Sequence, residues 1–180
     1  MSLSVATLLP GLLLLLLGLP LLLDHSGAKA AIAAFPRSAT VGNVVFGAAA
    51  AWFLYNIWHL SNADFGEYRT LLFIGFAAVA VLAFKCVPDF LGVRGACALV
   101  LLAASPFLNA AYMEYDHPPR LFMVGLVYIA IALAIWIGAQ PWRLRDFLDW
   151  LFARGARSRG MGGLLVAYGI LLCCAAFEMR

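Results

Sequence analysis

Read for the order of apolar and polar positions, the chain falls into long apolar blocks separated by short polar connections. Crossing the hydrocarbon core of a bilayer as a helix takes about twenty apolar residues. Six blocks meet or approach that length: residues 3–23, 41–60, 70–87, 95–112, 121–139 and 163–177, with boundaries soft by several residues. A seventh element has a different pattern. In PWRLRDFLDWLFAR (141–154), Leu144, Phe147, Leu148 and Leu151 recur at the i, i+3, i+4, i+7 spacing of one helix face, while Arg143, Asp146 and Asp149 fall largely elsewhere. Pro141 suits a helix start, and Trp142 and Trp150 suit the headgroup level. Arg145 and Asp149 have the spacing of an i, i+4 pair, and GARSRGMGG (155–163) reads as a linker. The pattern predicts an all-α polytopic integral membrane bundle, one domain over 1–180, with six transmembrane helices and an amphipathic interfacial helix over 141–154.

Composition agrees with the pattern. Of 180 residues 65% are hydrophobic and 12% charged, and the mean hydropathy is +0.96. A charged share about half the usual one leaves too few polar side chains to clothe a water-soluble domain of this size. The first block has the length of a retained helix. Ala28-Lys29-Ala30 resembles a signal-peptide cleavage site, but MSLS carries no basic residue and the apolar run is longer than a signal peptide needs.

Charge adds an orientation. The net charge of +3 is too small to suggest nucleic acid, but its distribution is uneven. Lys29, Arg37, Lys85, Arg94, Arg143, Arg145, Arg154, Arg157 and Arg159 lie in or beside the connections after spans one, three and five. Less Asp24, Asp89, Asp146 and Asp149, that side carries +5; Arg69, Arg120 and Arg180 against Asp64, Glu67, Glu114, Asp116 and Glu178 give the other side −2. Basic connections stay on the cytoplasmic side, so both termini are expected outside. Ten Arg against two Lys, with abundant Ala, Gly and Leu, suggest a GC-rich bacterial gene and hence a bacterial inner membrane.

Lipid tails are as apolar as leucine, so the helices must associate through close backbone packing at small residues. Gly47 with Ala51, Ala130 with Ala134 and Gly138, and Gly163 with Ala167 are four apart and share a helix face. Pro10, Pro20 and Pro106 are expected to bend their spans or free carbonyls for other donors.

Candidate chemistry collects on the expected outer side. YNIWHLSNADFGEYR (55–69) places Asn56, His59 and Asn62 at three-residue intervals, and NAAYMEYDHPPR (109–120) brings Asn109, Glu114, Asp116 and His117 to the same side. Imidazoles and carboxylates together can ligate a divalent ion or exchange protons. No HExxH-type spacing fixes a geometry, however, and Asp116-His117-Pro118-Pro119 reads as a turn. The surrounding Tyr55, Trp58, Tyr68, Tyr112 and Tyr115 form an interfacial aromatic belt, so a solvated rim is the leading reading. On the other side Lys85 and Asp89 are expected to form a structural ion pair. Arg143, Arg145, Arg154, Arg157 and Arg159 are expected to meet anionic lipid.

Motifs for known chemistry are nearly lacking. DWLFARGARSRGMGG (149–163) partly resembles the CDP-alcohol phosphotransferase signature through Asp149, Ala153, Arg154 and Gly163. Trp150 replaces its first glycine, and Ala167 and Leu171 stand where its metal-binding carboxylates belong, so that activity is excluded. The four cysteines show no CxxC or Cys/His spacing. No cofactor is expected. The first function expected is a non-catalytic accessory or scaffold component with a membrane-protein partner. The alternatives are a small-molecule carrier or substrate-binding subunit, similar in size to the vitamin-capture subunits of energy-coupling transporters, and a metal-dependent enzyme at the outer face.

Overall fold

The computed structural model describes residues 1–61, 63 and 65–179, and over these the chain is all-helical. In chain order the helices are α1 (Leu3–Leu22), α2 (Ser26–Ala34), α3 (Ala39–Trp58), α4 (Arg69–Cys86), α5 (Leu91–Ala111), α6 (Arg120–Ala139), α7 (Trp142–Phe152) and α8 (Gly155–Glu178). Six of them, all but α2 and α7, are long and apolar enough to cross a membrane. They correspond to the six apolar blocks.

Two departures from the expected boundaries have physical causes. Residues 155–163 are not a linker but the first turns of α8. Their glycines, which loosen a helix in water, here let two helices touch. A Cβ on Gly162 would sit 2.8 Å from the carbonyl oxygen of Gly18 and collide with the backbone nitrogen of Leu22; one on Gly169 would meet the carbonyl of Gly11 at 2.9 Å. The antiparallel α1/α8 seam is thus built on Gly11, Gly18, Gly162 and Gly169, seven residues apart on each helix. The four-residue pairs expected from sequence play lesser parts, with Gly47 and Gly163 reaching only the tips of Phe84 and Leu22. The second departure is α2, an alanine-rich segment read as a loop. His25 opens it, its Nδ1 accepting from the Ala28 amide at 3.2 Å.

A second close seam joins the parallel helices α3 and α5, where Gly42 lies against Gly92 and a Cβ on Gly95 would stand 2.6 Å from Phe46 Cα. α6 lies on α5, and the α1/α8 pair closes against both. The main core lies at the end of the bundle that holds both termini. There Leu3, Ala6, Ala104, Ala111, Met123, Val127, Leu172 and Ala175 are buried together. A smaller core of Val93, Cys97 and Ala134, with Phe35, Phe90 and Leu144 against it, closes the opposite end, which carries most of the basic residues. Tyr168 ties α8 to α6 by donating to the Phe122 carbonyl at 2.9 Å.

α4 stands apart. None of its residues is buried, and the spanning helix it chiefly packs against is α3. Three edge-to-face ring pairs run along that contact: Phe46–Phe84 at 5.2 Å, Phe53–Phe76 at 5.1 Å and Trp58–Phe73 at 5.4 Å.

Candidate functional site

The polar residues at the terminal end were expected either to converge or to form a rim. Their contacts are those of helix ends. The last carbonyls of a helix have no partner within it and carry the negative end of its dipole. At the end of α3, His59 Nδ1 donates back to the Tyr55 carbonyl at 2.8 Å, and Arg69 Nη1 reaches across the turn to the Trp58 carbonyl at 3.4 Å. At the end of α5, Arg120 Nη1 donates to the Ala111 carbonyl at 2.6 Å. Each guanidinium also lies over an aromatic ring, Arg69 over Trp58 at 5.8 Å and Arg120 over Tyr115 at 4.7 Å. Each arginine begins the helix after the one it caps.

Asn56, His59, Asn109, Glu114 and Asp116 are exposed, and His117 is half-buried. Asn109 donates to Ser105 at 3.4 Å within its own helix. Among the described residues no hydrogen bond, ion pair or ring contact joins Asn56 or His59 to the 109–117 segment, and no three His, Cys, Asp or Glu side chains stand close enough to share a metal. Asn62 and Asp64, with Arg180, lie outside the described residues.

At the basic end the structure brings together residues that sequence reading had not connected with one another. Asp24 follows α1 with φ +59°, the left-handed region. Its amide donates to the Leu21 carbonyl and that of His25 to the Pro20 carbonyl, 3.2 and 2.9 Å away. This is the Schellman closure, which normally places glycine where Asp24 stands. The carboxylate is engaged on both oxygens. Oδ1 pairs with Lys29 of α2 and accepts from Ser158 Oγ of α8 at 3.3 Å, and Oδ2 pairs with Arg159 at 3.3 Å. Ser158 is fully buried, and its single hydroxyl proton is shared between the Asp24 carboxylate and the Gly155 carbonyl, 3.0 Å away. The Lys29 hydrogen bond foremost, with the Lys29 and Arg159 charges and the Ser158 hydroxyl, holds the Asp24 carboxyl below its ordinary range, against an opposing effect of desolvation. The group locks three helices at one end. Its single-residue signal was Asp24 just after an apolar block, but Ser158 and Arg159 lie more than 130 positions away and carry no local mark.

The expected Lys85–Asp89 pair is not among the ion pairs of the described residues, which are Lys29–Asp24, Arg159–Asp24 and Arg145–Asp146. The i, i+4 spacing needs a continuous helix, and α4 ends at Cys86. Arg145 likewise turns to Asp146, at 2.6 Å, and not to Asp149.

α7 buries Leu148 and Leu151, while Leu144 is half-buried and Phe147 exposed. Of the five arginines expected at a lipid surface, most are engaged within the chain. Arg143 bonds Gln140 and lies over Trp136 at 4.9 Å. Arg157 donates to the Trp150 carbonyl at 3.0 Å and lies over its ring at 4.4 Å, capping α7 as Arg69 and Arg120 cap α3 and α5. Arg159 holds Asp24. Arg154 alone of the five makes no such side-chain contact among the described residues.

Compared with known protein families, curated proteins and solved structures, the chain matches none.

Proposed function

We propose that this protein is a non-catalytic accessory or scaffold component of a bacterial inner membrane that acts through its helix surfaces, with both termini outside. The observation that carries the reading is α4. A spanning helix gains stability from close contact with other helices, because lipid offers it no hydrophobic drive toward them. α4 buries none of its residues against the rest of the chain, and its free face carries Leu71 and Ile74 at 70% and 62% exposure beside Gly75. A Cβ on Gly75 meets nothing within 4 Å, so the small residue has no use inside this chain and suits the approach of a partner helix. At the basic end, exposed Arg154, which makes no side-chain contact of this kind within the chain among the described residues, and exposed Trp142 and Trp150 support contact with anionic lipid at the cytoplasmic face.

The test is a photocrosslinking residue at position 75, activated in native membranes. One defined membrane-protein adduct is expected. Gly75→Leu should abolish the assembly while leaving the unfolding of the isolated chain unchanged. A chain that forms no adduct and behaves as a lone monomer overturns the reading.

A further inference from the structure

α4 has two unlike sides. On one, Phe76, Val79 and Ala80 line an apolar groove shared with α3 and α5, and Phe73, Phe76 and Phe84 make the ring pairs with α3. On the opposite side Leu71, Ala78 and Lys85 follow at seven-residue intervals, which return to one helix face after two turns. Ile74, Gly75 and Leu82 flank that line, and Ile74 stands three turns from Lys85. All six are exposed. Ionisable side chains on spanning helices are usually paired. Lys85 makes no hydrogen bond, ion pair or ring contact among the described residues. It stands in the last turn of α4, where its stem carries the ammonium to headgroup level. A carboxylate that met it there would not have to enter the hydrocarbon core.

Charge and shape together narrow what covers this face. Lipid tails gain nothing from the bared backbone at Gly75, whereas another helix can approach it closely. A second copy inserted the same way meets this face only about a two-fold axis along the membrane normal. That axis brings Lys85 against Lys85, and like charges so placed oppose the pairing. The neighbouring connections add no surplus of negative charge, since Arg37 and Arg94 stand there against Asp89. The face therefore selects a helix that is apolar against Leu71 and Ile74, close at Gly75 and negative at the level of Lys85. Gly75 and Lys85 are ten residues apart, about 15 Å along the helix axis.

We propose that the free face of α4 docks a spanning helix of another membrane protein, and that this helix carries an Asp or Glu whose carboxylate pairs with Lys85. The inference rests on the reading of α4 as a partner surface and adds the chemistry of the partner. The test uses the full-length chain in native membranes, with the photocrosslinker at position 75 and, separately, a membrane-permeant carbodiimide. The carbodiimide takes up one water as it joins a lysine amine to a carboxylate in contact. Both reagents should yield an adduct with the same protein. The residue joined to position 75 should have an Asp or Glu about ten residues along its own helix, toward the basic end. Lys85→Gln should abolish the carbodiimide adduct and cut the position-75 adduct about fivefold, the worth of one polar contact between spanning helices. Lys85→Arg also loses the carbodiimide adduct but should keep the photoadduct, because it keeps the charge. Lys85 is exposed, so neither variant disturbs packing. A photoadduct undiminished in Lys85→Gln leaves the cation to lipid and overturns the pairing, while the partner surface itself stands. Equal losses in Lys85→Gln and Lys85→Arg overturn the pairing too, as does an adduct of twice the chain mass, which makes a second copy the occupant. No photoadduct in the unaltered chain overturns the partner surface and the pairing together.

Discussion

Asp24 occupies a backbone conformation that helix ends usually give to glycine. Asp and Asn tolerate that region better than other side chains do, so a carboxylate there can be placed where a straight helix could not send it. Asp24→Asn keeps the backbone preference and removes the charge, which isolates the contribution of Lys29 and Arg159. The folded-state value of the Asp24 carboxyl is lowered, so its contribution is present above the ordinary value of 3.8 and is lost as pH falls below that, through the lowered folded value. In thermal unfolding in micelles, Asp24→Asn is therefore expected to unfold at lower temperature than the unaltered protein at pH 7. The gap should close only below about pH 4. A gap that does not change with pH removes the electrostatic account. The arginine caps make a related point. Arg69, Arg120 and Arg157 each satisfy a terminal carbonyl and cover an aromatic ring, so charges that look like site chemistry in a sequence close helix ends in the fold.

Among the elements, the closest contacts are made by glycines that sequence reading placed in a linker or passed over. Small residues four apart are the pattern usually sought, and Ala134 and Gly138 do lie against the α5 side of the bundle, a Cβ on Gly138 meeting Cys97 at 3.5 Å. The α1/α8 seam instead uses Gly11 with Gly18 and Gly162 with Gly169, seven apart. That spacing also returns to the same helix face after two turns. Gly162→Ala must push α1 backbone aside and is expected to cost about 1–3 kcal/mol. Gly125→Ala adds a Cβ that meets nothing within 4 Å, and should be neutral or stabilising by up to about 1 kcal/mol. Unfolding by detergent titration distinguishes the two. Equal effects would show that the seam does not depend on backbone approach. α2 and the early start of α8 were hidden for a common reason: alanine, glycine, lysine and arginine at a polar end read as a loop until a neighbouring helix supplies the packing.

For the molecule as a whole, the arrangement is a tight α1/α8 pair, a tight α3/α5 pair, α6 packed on α5 and touching the α1/α8 pair, and α4 at the edge. Both termini fall at one end and most basic residues at the other. A reporter fused after residue 180 should report the outside, and one inserted in the α6–α7 connection near Gln140 should report the cytoplasm. The reverse outcome overturns the orientation while leaving the helix order intact. Polarity at this scale is uneven. The basic end is fastened by an ionic group on Asp24, and the terminal end by apolar packing around Met123 and Leu172, both fully buried.

The sequence by itself determined the six long apolar helices, their order and the short helix over α7. Those features follow from composition and from the length a bilayer demands, and they need no knowledge of which helix meets which. Only the tertiary structure decided which glycines touch, that Asp24 meets Ser158 and Arg159, that Lys85 stands without Asp89, and that α4 leans away to leave a groove. Each of these depends on contacts between residues far apart in the chain. In helices this apolar the hydrophobic pattern is nearly the same on every face, so it cannot indicate which face turns inward.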